Sequence, residues 1–211
     1  MNYPATLVWS LACAAQRMNG GYHKENIYEP AEDGTPKLIT EANKVMVKRW
    51  LRENQNPAIE SDTAAGEECR NYFKGLLLRQ IAGKITDFEA TALRIAQKDE
   101  FTGRDLYDFA VISCLPSAMQ RDQKKLQLKR SLIASEPLKD AVGSTVVGDI
   151  DVIHCYHNDM YGRWRVTARM GEHFVDFWFG SQVQGSLRIR GKVKEKRADK
   201  TTQLSHVKTM S

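Results

Sequence analysis

The chain has 211 residues, of which 42% are hydrophobic, enough for one large domain or two small ones with cores of their own. No apolar run reaches the roughly 18 residues that a membrane-spanning helix needs. The formal net charge of +5 is unevenly spread. Between Tyr161 and Ser211 eleven Lys and Arg face four Asp and Glu, an excess of +7, which leaves −2 for everything before. This segregation favours a polyanion-facing surface in the last quarter over a uniformly solvated chain.

Taken in order, residues 1–20 read as one short helix, with Leu7, Leu11 and Ala14 on one face and Asn19-Gly20-Gly21 as its stop. Leu7–Ala15 has no cationic side chain before it, so it reads as a helix of the mature protein and not as a secretory signal. Residues 20–39 are rich in Gly, Pro and Asp and read as a long loop with a short hairpin at Asp33-Gly34. Thr40 is placed to cap a second helix along Ala42, Val45, Met46, Arg49 and Trp50. A third begins near Ser61 or Asp62 and runs through Cys69, Phe73 and Leu77 to Gly83. Thr86-Asp87-Phe88-Glu89 is a capping box and opens a fourth. A fifth carries Leu106, Phe109 and Ile112. Pro116 restarts the pattern in a last helix, Ser117 to about Ala134. Its apolar stripe is thin and suits self-association or a protein partner.

Ser135-Glu136-Pro137 is the predicted seam, because Pro137 suits neither a helix interior nor a central strand. Beyond it the hydrophobic period changes from about 3.6 to about 2. Five strands are predicted: Ser144 to about Tyr156, with Gly148 as the site of a bulge, then Arg163–Met170, His173–Phe179, Ser186–Lys196 and Thr201–Lys208. A long, bent first strand with glycines at the corners suits a small closed barrel. The fold class is therefore α+β: a helical domain over 1–134, with its loop at 20–39, followed over 138–211 by a five-stranded antiparallel barrel resembling the OB-fold. A five-strand sandwich and an SH3-like barrel are the competing arrangements. The link Gly180–Gly185 is too short for a helix between the third and fourth strands.

Alternation sorts the faces. Trp164, Val166, Ala168 and Met170 form the inner set of the second strand, which turns Arg163, Arg165 and Arg169 outward. In the third strand one set holds Val175, Phe177 and Phe179 and the other Phe174, Asp176 and Trp178. Burying an unpaired Asp176 would cost several kcal/mol, on the order of the penalty for an isolated buried charge. The first set is therefore assigned to the core. Phe174 and Trp178 are then expected outside, beside the three arginines, as a platform on which bases stack. In the fourth strand Leu187, Ile189, Gly191 and Val193 point in. Arg188, Arg190, Lys192, Lys194 and Lys196 point out and can follow a row of phosphates. Tyr156 and Tyr161 are secondary stacking candidates. Lys192–Lys196 also fit a charged edge strand that blocks aggregation, and Phe174 and Trp178 also fit packing against the helical region.

Gly143-Ser144-Thr145-Val146, the Trp164–Val175 hairpin running into Phe177-Trp178-Phe179, Gly191-Lys192-Val193-Lys194-Glu195-Lys196 and Thr202-Gln203-Leu204-Ser205-His206-Val207-Lys208 together resemble OB-fold modules of uncharacterised and single-stranded-DNA-binding proteins of tailed bacteriophages. The resemblance covers about a third of the chain. It implies binding of single-stranded nucleic acid in replication, recombination or repair, in the host cytoplasm if the gene is a phage gene.

Catalytic signals are weak. His154, His157 and His173 do not converge on one face, so a zinc site is not expected. There is no phosphate loop, no His-Glu-x-x-His and no Gly-x-Ser-x-Gly. The four cysteines form no Cys-x-x-Cys pair and fit a reduced, cytosolic protein without cofactor. The expectation is non-enzymatic binding of single-stranded nucleic acid, most simply DNA, through Arg163, Arg165, Arg169, Phe174, Trp178, Arg188, Arg190, Lys192 and Lys194, with no membrane partner. One alternative is an interaction protein whose basic face meets an acidic partner. Another is a nucleic-acid-processing enzyme with catalytic residues in 20–40 or the helical region.

Overall fold

A computed structural model describes residues 1–210 and divides into two compact units, Met1–Gln123 and Lys124–Ser211. In chain order the elements are β1 (Asn2–Pro4), α1 (Ala5–Met18), β2 (Ile27–Pro30), β3 (Pro36–Thr40), α2 (Asn43–Arg52), α3 (Glu60–Lys74), α4 (Leu77–Ile81), α5 (Asp87–Ala96), β4 (Glu100–Thr102), α6 (Leu106–Ile112), α7 (Leu115–Ala134), β5 (Thr145–Asn158), β6 (Arg163–Met170), β7 (His173–Phe179), β8 (Ser186–Lys196) and β9 (Thr202–Met210). No helix among the described residues is long and apolar enough to cross a membrane. The division between the units falls inside α7, upstream of the seam expected at Ser135–Pro137.

The first unit is built around α1. Val8, Trp9, Leu11, Ala12, Ala14 and Ala15 are all buried, so this helix is covered on nearly every side. Its alanines leave room for neighbours to approach, and α2, α3 and α6 pack on it. Trp9, which the periodicity sets apart from the apolar face, is in fact at the centre. The two-stranded β1–β4 ladder, absent from the sequence reading, closes one end through Tyr3 and Phe101. The loop expected at 20–39 does contain its hairpin, β2–β3, turning at Asp33-Gly34 with Gly34 at φ +79°. Thr40 does not cap α2. It ends β3, and α2 starts at Asn43 after Ala42. The capping box is present: the Thr86 hydroxyl accepts from Glu89 N–H and the Glu89 carboxylate accepts from Thr86 N–H at 2.8 Å. Pro116 lies in the first turn of α7, where its missing N–H costs nothing.

The second unit is a closed barrel in the order β5-β6-β7-β9-β8. The long β5 serves two partners: Thr145–Asp151 pairs with β8, and Asp151–Asn158 pairs with β6. The bulge that lets it bend lies between Val152 and His154, not at Gly148. Val146, Ile150, Val166, Ala168, Val175, Phe177, Ile189, Val193 and Leu204 fill the interior. The expected inner sets of β6, β7 and β8 are therefore the ones that point in, except that Trp164 lies outside the core, half-buried beside His157 at 5.3 Å. Link 180–185 contains no helix.

One pairing corrects the antiparallel expectation. β5–β6, β6–β7, β5–β8 and β8–β9 are antiparallel, whereas β7 and β9 run parallel. The reason is parity. Four antiparallel steps lead from β7 round to β9, and an even number of reversals restores the direction. A ring with an odd number of strands cannot be antiparallel throughout. The parallel closure is also the shortest ladder, with only Val175–Thr202 and Asp176–Gln203 in register.

Candidate nucleic-acid interface

The outer face of β5, β6 and β7 is ordered by cross-strand register. Arg165 lies opposite Tyr156 of β5 on one side and Trp178 of β7 on the other. The bulge before His154 is what turns Tyr156 outward, since it resets the alternation after Val152. The Arg165 guanidinium lies 5.9 Å from the Trp178 ring centroid, within cation–π range. Tyr161, in the β5–β6 turn and exposed, stands edge-on to Trp178 at 5.3 Å. His154 lies beside Tyr156 at 5.3 Å. The face thus carries a row of aromatic rings with a guanidinium among them.

One strand position along, Thr167 lies opposite His154 and Asp176. Asp176 is 4% exposed. Its Oδ2 accepts from Arg165 Nη2 at 2.9 Å and Nε at 3.3 Å, and from Arg197 Nη1 at 2.7 Å. Its Oδ1 is buried without a partner. Arg197, in the β8–β9 turn, also donates to Glu195 at 2.8 Å. Burial works against the charge of both guanidiniums. Hydrogen bonds and Coulombic attraction, from Asp176 in both cases and also from Glu195 at Arg197, outweigh it and raise their pKa values. The carboxylate therefore pins a β6 side chain and the β8–β9 turn to the same point on β7.

This arrangement explains which expectations fail. The strand parity inferred from Asp176 is correct, but its premise, that the acid would have no partner, is not. Asp176 is buried on the outer face because two arginines neutralise it there. Phe174 on that same face is buried too, at 4% exposure, so the expectation that it stands outside as a stacking residue is overturned. The segment after α7 closes over this end of the barrel. Glu136 O bonds the His173 ring at 2.7 Å, and Leu138 N–H donates to Thr202 at 2.9 Å. Trp178 is half-buried, with one flank taken by Arg165 and Tyr161.

The cations separate into groups. Arg163 is exposed and lies at the β7 end nearest Trp178. Arg169 is exposed but tied to its own turn, donating to Gly171 O at 2.8 Å and to Glu172 at 3.0 Å. Arg188, Arg190, Lys192 and Lys194 all point outward from β8. Arg188, Arg190 and Lys192 are flanked by β5 and β9, so they do not join the β6–β7 row. Lys194 does come near Trp178, across the opening between β7 and β9. Arg197, Gln203 and His206 are parts of this region that the sequence reading missed. Arg197 and His206 sit at a turn and at a kink (His206 φ +53°), where alternation carries no information. Among the described residues no group of three or more His, Cys, Asp or Glu could hold a metal.

Comparison of the chain with protein-family models, with curated proteins and with solved structures finds no match.

Proposed function

We propose that the barrel binds single-stranded nucleic acid, most simply DNA, with bases stacking on Trp178, Tyr161 and Tyr156 and phosphates held by arginine. The observation that supports this most is the row Tyr156–Arg165–Trp178, extended by Tyr161. Aromatic faces accept any base but only when it is unstacked, which favours single strands over duplex. OB-folds, which the C-terminal third resembles, use the face of their second and third strands, with flanking loops, for oligonucleotides. Here those strands are β6 and β7. Assignment to phage-type replication, recombination or repair rests on the resemblance of the C-terminal third. Four free cysteines support a reducing compartment such as the cytoplasm.

The test is titration of a labelled oligothymidylate against the protein over a range of salt. Trp178→Ala is expected to weaken binding by about fivefold to a hundredfold, from roughly 1–3 kcal/mol of stacking per base. No binding of single strands at low salt, or binding unchanged in the Trp178→Ala, Arg165→Ala double variant, sinks the proposal. A protein partner for the helical unit is a second reading. The β2–β3 hairpin leaves Ile27, Tyr28, Leu38 and Ile39 in water. A partner retained in pull-downs after nuclease treatment supports it, and one lost after nuclease counts against it.

A further inference from the structure

Where β7 and β9 separate, the barrel wall opens into a groove of about 500 Å³. It begins at the end of the two-pair parallel ladder, past Asp176 and Gln203. β7 runs on to Phe179 without a register partner on that side, while β9 turns away at the positive-φ residue His206. Trp178, Arg163, Lys194, Gln203, Ser205 and His206 contribute its polar and aromatic lining, and no carboxylate is among the lining residues.

The groove sets unpaired cations beside an aromatic ring; Arg190 and Lys192 also make no ion pair among the described residues, but they point out of β8 between β5 and β9. Arg165 shares Asp176 with Arg197, Arg197 is also paired with Glu195, and Arg169 is paired with Glu172. Arg188 has Asp149 at 3.7 Å. Arg163 and Lys194 make no ion pair among the described residues, and they stand on the groove's walls beside the ring proposed to hold a base. Two uncompensated cations, a hydroxyl and a side-chain amide beside an unpaired strand edge form a site for a chain of anions with hydrogen-bonding oxygens.

We propose that this groove holds the phosphodiester backbone of the strand whose bases stack on Trp178. Arg163 and Lys194 contact successive phosphates from its walls. The inference rests on the binding reading given above and adds a path: the strand crosses the β6–β7 face and leaves through the β7–β9 opening, not along the cationic row of β8.

The experiment uses the full chain and a labelled oligothymidylate, with affinity measured as a function of salt. Each phosphate contact on a single strand contributes about 0.7 to the slope of log affinity against log salt. Arg163→Gln with Lys194→Gln is expected to lower that slope by about 1.4, while quenching of tryptophan fluorescence at saturation persists. The same charge change on the other side of the barrel, Arg188→Gln with Arg190→Gln, is expected to leave the slope within about half a contact of wild type. An unchanged slope in the groove variant, or an equal loss in the control variant, overturns the groove assignment and leaves stacking on Trp178 standing. A polyglutamate peptide that displaces the strand at matched charge concentration, and loses that ability in the groove variant, overturns it in favour of an acidic polypeptide. A wild-type protein that binds no strand at low salt overturns both proposals.

Discussion

Asp176→Asn is the perturbation that reads most directly on how the face is built. The carboxylate side chain is 5% exposed, and the two guanidiniums that reach it are 36% and 25% exposed. Removing one member of a sealed ion pair costs about 3–5 kcal/mol, because the other charge is left buried and unpaired. Here both arginines keep a path to water, which returns part of that cost. Asparagine with its oxygen in the place of Oδ2 also keeps an uncharged acceptor for both of them. Three charge-assisted contacts are weakened, at 2.7, 2.9 and 3.3 Å. The already orphaned Oδ1 loses nothing. The expected net loss is about 2 kcal/mol, which in a unit this size corresponds to a fall in Tm of about 8–16 °C.

The two units call for a probe that separates them. Trp164 and Trp178 lie in the barrel, and Trp9 and Trp50 in the helical unit. Fluorotryptophan labelling gives each its own resonance during urea unfolding, so the barrel's transition is followed without interference. A cycle with Arg165→Gln should show a coupling of about 1 kcal/mol or more, as expected for residues sharing one network. Asp176→Asn also releases Arg165 at the binding face, while Arg197 keeps Glu195. The salt slope for single strands should then steepen, by about 0.7 once the released guanidinium finds a phosphate. Barrel stability within about 0.5 kcal/mol of wild type, together with a coupling near zero, would refute the reasoning.

Two further outcomes follow from the helical unit. A Cβ built on Gly66 of α3 would come within 2.9 Å of the backbone at Trp9 and Ser10, so Gly66→Ala must push α3 off α1. The expected loss is about 1–3 kcal/mol, seen as an earlier urea transition of the Trp9 resonance. A neutral or stabilising effect, as helix propensity alone predicts, would contradict the close crossing. The second outcome concerns acid. Burial opposes ionisation of Asp62 and Asp108, but hydrogen bonds and charges from Arg17 at the first and from Arg94 and Lys98 at the second prevail and lower both pKa values. A lowered folded pKa stabilises above the unfolded value and is lost as pH falls through the folded one. The helical unit should therefore weaken below about pH 4. Asp108→Asn should lower its stability at pH 7 and flatten the acid decline. An unchanged decline between pH 4 and pH 2 would count against the pairing.

Much of the barrel was legible because alternation is a local property. The runs 163–170, 173–179 and 186–196 each carry an apolar set every second residue, and those sets, Trp164 apart, are the ones that line or fill the core. The capping box at Thr86–Glu89 and the turn at Asp33-Gly34 were legible for the same reason, since each is fixed by a few neighbouring residues. The β1–β4 ladder was not, because its two strands are three residues each and lie about a hundred positions apart. Trp9 escaped because α1, buried on nearly every side, has no polar face to orient it, and Gly66 because its close contact is with the α1 backbone, far away in the chain.

The binding face was harder to read than the fold, and Asp176 shows why. Alternation tells which side of a strand a residue occupies, but not whether that side meets water. The outer face of β7 is covered at Phe174, neutralised at Asp176 and open only toward Trp178. Which cations stay available depends on carboxylates brought near by the fold: Asp176 and Glu195 between them engage Arg165 and Arg197, and Glu172 engages Arg169. Of the three arginines that β6 turns outward, only Arg163 is left without an acid among the described residues. It borders the opening that an odd-stranded ring forces where its one parallel pair ends. Closure parity thus places the groove, and local ion pairing selects the cations left to act in it. Neither can be read from a single strand's sequence.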